Sequence, residues 1–187
     1  MNQSNLSVLA IAGSLRKSSF NRMALEIAKG LAPAGMSIEI FERLGDIPPY
    51  NEDVRGGNDP EAAVALADAV RAADAVLIAT PEYNYSIPGV LKNAIDWASR
   101  APEQPFKDKP LAIMGAAVGA LGTARAQYHL RQCFVFLEAN VLNRPEVFIG
   151  SAHTKFDENG ALNDDMAKDL ITQQLEALKA WTLRLRG

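Results

Sequence analysis

The sequence predicts an α/β fold: a three-layer sandwich in which a five-stranded parallel sheet carries helices on both faces. Three observations lead there. Short apolar runs alternate along the chain with segments of helical period, the pattern of repeated β-α-β units. The runs Leu6–Ala12, Ala75–Thr80 and Leu111–Ala117 are apolar with hardly a polar interruption, as strands buried on both faces must be. Five strands alternating with five helices imply parallel connections, and 2-1-3-4-5 is the expected strand order.

Each element has its own warrant. After the first strand and a polar, glycine-containing turn, Ala24, Ile27, Ala28 and Leu31 form one apolar stripe of a helix from about Phe20 to Leu31. Ser37 to Phe41 reads as the second strand, and Gly45 to Asn58 as a loop rich in breakers. Asp59-Pro60-Glu61 supplies a cap, a proline and a first-turn acid for the next helix, with Ala63, Leu66, Ala67 and Val70 as its stripe. Ala75–Thr80 follows, then a loop, then a helix through Ser99 on Leu91, Ala94, Ile95 and Ala98. The fourth strand is followed by a helix from about Thr123 to Glu138 and a strand near Glu146–Ile149. The last helix starts at Asn163-Asp164-Asp165 and runs to Arg186, acids in its first turn and Lys179, Arg184 and Arg186 towards its end, as the helix dipole favours. The order 2-1-3-4-5 is the flavodoxin-like one. It places a ligand where the order reverses, between strands one and three.

At 187 residues the chain is expected to form a single domain, residues 1–187. Apolar residues make up 48% and charged residues 22%, an ordinary globular balance. A net charge of −3 argues against nucleic-acid or anionic-membrane partners, which call for basic patches. Met1 to Asn5 has no basic start and only a short apolar run after it, so no signal peptide is expected. No stretch approaches the roughly 20 apolar residues of a membrane span. One cysteine, Cys133, precludes an internal disulfide and fits a reducing cytoplasm.

Three loops should meet at the switch point. Gly13 to Asn21, after strand one, offers the hydroxyls of Ser14, Ser18 and Ser19, the amide of Asn21 and the guanidinium of Arg16. With the N–H groups that open the following helix, these make a phosphate site. A polar turn that merely caps a helix is equally compatible with the composition; the position after strand one favours phosphate. The loop matches neither G-x-G-x-x-G nor G-x-x-x-x-G-K-[ST]. Pro81-Glu82-Tyr83-Asn84-Tyr85-Ser86-Ile87-Pro88-Gly89, after strand three, combines aromatic rings with an amide, a hydroxyl and stiffening prolines, and suits a flat ring with polar edges. A plain strand-to-helix connector accounts for Pro88 but not for Glu82, Tyr83, Asn84 and Tyr85. Gly115 to Gly122, after strand four, is small enough for a ligand to approach its backbone, although glycine spacing alone also describes a flexible turn.

Other chemistry lacks its residues. His129 and His153 are too few and too far apart for a metal site. Cys133 lies in the apolar run Cys133–Leu137 and reads as a small buried hydrophobe rather than a nucleophile. No G-x-S-x-G is present. Glu82 has the chemistry of a general base, but an acid in a loop is ordinarily just solvated. No catalytic side chain stands out, which points to a cofactor that carries the reaction.

Gly13-Ser14-Leu15-Arg16 with Ser19-Phe20-Asn21, and Pro81-Glu82-Tyr83-Asn84 with Ser86-Ile87-Pro88-Gly89, resemble the NAD(P)H-dependent FMN reductase family, in particular its bacterial chromate and quinone reductases. The resemblance spans almost the whole chain. It implies a flavodoxin-like domain that binds FMN without a covalent link and takes electrons from NADPH or NADH. Ser14, Arg16, Ser18 and Asn21 would hold the phosphate, with Phe20 beside them. Pro81, Glu82, Tyr83 and Asn84 would line the isoalloxazine, Ser86 would fix the loop or the ribityl chain, and Ala117 to Gly119 would close over the ring's pyrimidine end. It further implies a homodimer or homotetramer.

The expected activity is transfer of electrons from NAD(P)H through FMN to quinones, with chromate, azo and ferric compounds as further acceptors, by a ping-pong cycle. A flavodoxin-like electron carrier serving a protein partner is the alternative. The helix from Thr123 to Glu138 carries Leu130, Cys133, Phe134, Val135, Phe136 and Leu137, too many apolar residues for one buried stripe, and is expected at a subunit interface. Tyr85, Arg125, Tyr128 and Glu146 are expected as a polar cluster beside it.

Overall fold

The computed structural model describes residues 5–55 and 59–187, so the end of the predicted 45–58 loop lies outside the described residues. Among the described residues, eleven strands and α-helices follow one another: β1 (Leu6–Ala12), α1 (Phe20–Gly30), β2 (Met36–Ile40), α2 (Glu61–Ala72), β3 (Ala75–Ala79), α3 (Gly89–Ala98), β4 (Pro110–Ala116), α4 (Ala124–Phe136), β5 (Asn140–Val141), β6 (Val147–Ile149) and α5 (Asp165–Leu185). The strands pair in parallel in the order β2-β1-β3-β4-β5, with β6 also on β4. This is the predicted order.

Side-chain alternation builds the two cores. Val8, Ala10 and Ala12 of β1, with Leu77 of β3 and Met114 of β4, face α1 and α5. Leu9, Ile11, Val76, Ile78 and Ile113 point the other way, into the layer of α2, α3 and α4. Successive residues of a strand face opposite sides. A strand covered on both sides therefore has no place for a polar residue, and β3 and β4 are buried throughout.

The fifth strand differs from expectation. Two short strands share its place: Asn140 and Val141 pair with Pro110 and Leu111, whereas Val147 to Ile149 pair with Met114 to Ala116. Pro145, between them, has no N–H to give a ladder. The carbonyl of Ile113, opposite the gap, instead accepts a hydrogen bond from Nε2 of Gln174, a buried residue of α5. The same nitrogen donates to the carbonyl of Pro145, both at 3.0 Å.

Most helix ends follow the sequence. Asp164 caps α5, its carboxylate accepting from the N–H of Ala167 at 3.2 Å. At α2 the proline stands one position earlier than expected: Pro60 is the cap residue, and its carbonyl accepts from Ala63 and Val64. Among the described residues, no helix is long and apolar enough to cross a membrane.

Candidate functional site

The loops after β1, β3 and β4 converge at the carboxyl edge of the sheet. Gly13 donates to the carbonyl of Ala79, and Thr80 to that of Met114, so each loop leaves the sheet tied to its neighbour. Their approach is close. A Cβ on Gly115 would stand 2.0 Å from Oγ1 of Thr123 and 2.3 Å from the carbonyl of Thr80. Only glycine fits there.

The first loop is organised by Ser19 and Arg16. Ser19 caps α1, its hydroxyl accepting from the N–H of Asn21 at 3.2 Å. The Arg16 guanidinium donates to the carbonyl of Ser18 at 2.6 Å and lies 5.4 Å from the Phe20 ring centroid. That fixes a positive charge beside the first turn of α1, whose N–H groups have no intrahelical acceptor. Asn21 is spent differently. Its buried amide donates to the carbonyl of Ala116 at 2.9 Å and accepts from the N–H of Ala116 at 2.8 Å. It holds α1 against the end of β4.

The second loop is held from two sides. Tyr83 and Ser86 exchange backbone hydrogen bonds of 2.9 and 3.0 Å around Asn84 and Tyr85, both at positive φ (49° and 67°). Positive φ at both central residues is the type I′ arrangement, which asparagine tolerates and tyrosine adopts with strain. The hydroxyls of Tyr83 and Ser14 lie 3.3 Å apart and join this loop to the first. Nδ1 of His129 sits 3.1 Å from the Ser86 hydroxyl. Glu82 is not simply solvated: its carboxylate accepts from the N–H groups of Arg125 and Ala126, both at 3.1 Å, and pairs with the Arg125 guanidinium. The hydrogen bond that Arg125 donates to Glu82 raises the pKa of Arg125 above its ordinary value. The Arg125 guanidinium also covers the Tyr85 ring, 3.6 Å from its centroid.

Between these loops lies an open cleft of about 330 Å³. Of the residues expected at the site, Ser14, Arg16, Phe20, Asn21, Pro81, Glu82, Tyr83 and Ala117 line it. Ser18, Asn84, Ser86 and Gly119 stand outside the lining: Ser18 anchors Arg16 through its carbonyl, and Asn84 is the turn residue. Ser19, whose hydroxyl belongs to the first loop, and Ala116 and Val118, from the Gly115–Gly122 segment, also line the cleft. The expected polar cluster resolves into two pairings. Arg125 serves Glu82 and Tyr85, whereas the Tyr128 hydroxyl donates to Glu146 at 3.0 Å, a bond that raises the tyrosine's pKa. Cys133 is only half-buried rather than a core residue, and desolvation pushes its thiol pKa up.

Residues 6–154 match the family described as NADPH-dependent FMN reductase. The chain belongs to that family. It is 60% identical over 183 residues, 98% of each chain, to an NAD(P)H-dependent FMN reductase of Pseudomonas aeruginosa. It is 45% identical, over 97% of each chain, to a quinone reductase of Escherichia coli. Among solved structures, FerB, a flavoenzyme NAD(P)H:(acceptor) oxidoreductase from Paracoccus denitrificans, superposes with a TM-score of 0.86 at 33% identity, covering 96% of this chain and 98% of its own. As a family member the chain is an oxidoreductase with FMN as cofactor and NAD(P)H as electron donor.

Proposed function

We propose that FMN lies in the cleft between the three loops and that quinones are the acceptors. The observation that carries this reading is the pairing of a fixed cation and a helix start at one end of the cleft with a rigid aromatic turn at the other. Arg16, the hydroxyls of Ser14 and Ser18, and the opening N–H groups of α1 form a donor set for a dianionic phosphate. Phe20 lies beside it. Pro81, Glu82, Tyr83 and Asn84 offer backbone groups to the polar edge of the ring, Ser86 steadies their turn, and Ala117 to Gly119 close the far end. Asn21 acts here through Ala116, as a positioning residue.

When bound, FMN supplies the two-electron redox chemistry. The chain's residues bind and orient. Arg16 neutralises the phosphate, the Ser14–Tyr83 contact keeps the two loops in register, and Glu82 holds the second loop to α4. No side chain is assigned a catalytic proton. Tyr83 is 49% exposed and Val118 62% exposed at the mouth, an apolar rim for a planar substrate. Donor and acceptor would use this one mouth in turn, which is a ping-pong cycle. An open mouth discriminates weakly, so chromate, azo dyes and ferric complexes are further acceptors.

Subunit association belongs to the same proposal. Val135 and Phe136 of α4 are 77% and 85% exposed, an apolar pair left uncovered by the chain's own fold. A homodimer or homotetramer that buries them accounts for the excess of apolar residues in α4. The protein is assigned to the cytoplasm, in keeping with its single half-buried thiol.

The test is direct. Purified protein supplied with FMN should turn yellow and oxidise NADPH with a benzoquinone, giving parallel double-reciprocal lines. Failure to retain FMN, or no quinone-dependent oxidation, overturns the reading; intersecting lines overturn the ping-pong cycle alone. Sedimentation at micromolar concentration should show no monomer.

A further inference from the structure

A second cleft, of about 350 Å³, lies against the first. Ser14 and Arg16 line both. A ligand whose reacting end lies at the mouth of the first cleft can therefore continue over Arg16 into the second without leaving the protein surface. The second cleft is bounded on its far side by the segment that follows β2.

Its chemistry is uneven in a telling way. Leu15 is 54% exposed along it, and the partly buried Phe41 lies across from it, so two apolar side chains are left for a flat ring. Both acids in the lining are already held by arginines. Glu42 takes two hydrogen bonds from Arg22, at 2.6 and 2.7 Å, and Asp46 lies 3.5 Å from Arg43. Lys17, in contrast, makes no ion pair or hydrogen bond among the described residues. The cleft thus offers an apolar wall and an uncompensated ammonium on a flexible stem.

Resting on the assignment of a nicotinamide donor, we propose that this second cleft seats the adenosine end of NADPH. The adenine lies against Leu15 and Phe41, and Lys17 meets the phosphate on the adenosine ribose. That phosphate is the one group NADH lacks, so Lys17 sets the preference between the two donors. The length of the donor is used in full: its nicotinamide meets the flavin at the mouth of the first cleft, beside Tyr83 and Val118, and its unreactive half lies in the second. Arg16 lies between them.

The experiment compares kcat/KM for NADPH and for NADH, at saturating benzoquinone, in the wild type, Lys17→Ala and Lys17→Glu. Because the ratio of the two constants cancels differences in flavin content, it reads the donor contact alone. Loss of a charge-assisted contact predicts a fall in the NADPH to NADH ratio of roughly tenfold in Lys17→Ala and more in Lys17→Glu. Adenosine 2′,5′-bisphosphate should compete with NADPH in the wild type and lose potency in both variants. A ratio unchanged within about twofold in both variants, with turnover intact, overturns the subsite and leaves the donor assignment standing. No turnover of the wild type with either nucleotide overturns the donor assignment itself.

Discussion

The carboxylate of Glu82, on the loop after β3, accepts from the backbone N–H groups of Arg125 and Ala126 at the start of α4. The cap residue of that helix, Thr123, makes no side-chain capping bond, so an acid 43 and 44 residues away in sequence does this work. An anion at a helix start gains from both the free N–H groups and the helix dipole. Glu82→Ala should destabilise the protein by about 1–3 kcal/mol, the scale of a lost cap with a charged hydrogen bond. Urea unfolding of the two proteins measures it. A change within 0.5 kcal/mol would show, on the scale of ordinary surface substitutions, that solvent replaces the cap without loss (about that size is typical).

Gly115 makes the steric counterpart. Gly115→Ala must move Thr123 or the Thr80 carbonyl, because the added Cβ would overlap both. Overpacking of this kind costs about 1–3 kcal/mol and displaces backbone. The variant should melt lower and release FMN more readily on dialysis; retention of both properties would mean that the loops have slack the geometry does not reveal.

Arg16→Ala should weaken FMN binding by roughly 1.5–3 kcal/mol, the contribution of a hydrogen bond to a charged group. Fluorescence titration with FMN reads this directly. Riboflavin, which has no phosphate, is the control: its affinity should fall far less, and an equal loss for both ligands would remove Arg16 from the phosphate.

Asp164 sets a pH dependence. A hydrogen bond from Lys155, at 2.5 Å, and the N–H of Ala167 hold its carboxyl pKa below the ordinary value, against the opposing effect of burial. The folded-state pKa is depressed, so its stabilisation is present above the unfolded pKa of about 3.9 and is lost as pH falls through the folded value. Asp164→Ala should cost about 1 kcal/mol at neutral pH. The difference from wild type should shrink below about pH 4. A difference that stays constant down to the acid transition would assign the effect to packing rather than charge.

How much was legible in the sequence follows from the range of the interactions. β3 and β4 could be read because burial on both faces leaves a purely local mark, an unbroken apolar run. The three loops could be read because the strands deliver them to one edge. Two roles could not. Asn21 carries the residue type of a phosphate ligand, yet its amide is committed to Ala116, 95 residues away. Glu82 carries the residue type of a solvated loop acid, yet it completes a helix whose own start lacks a capping side chain. In each case the side chain's chemistry was visible and the backbone groups it binds were not, because backbone has no signature in sequence. The break in the fifth strand was hidden for the same reason, since a glutamine in a helix does not announce which strand it completes.

That glutamine frees a stretch of chain. With the Ile113 carbonyl held by Gln174, β4 keeps its bonding across the gap whatever path residues 143 and 144 take between Leu142, whose N–H donates to the Leu111 carbonyl, and Pro145, whose carbonyl Gln174 also holds. Residues could be inserted or exchanged there without loosening the strands that carry the three loops. The sheet margin beyond β4 is therefore the place where this scaffold can acquire a new surface while its reaction chamber stays as it is.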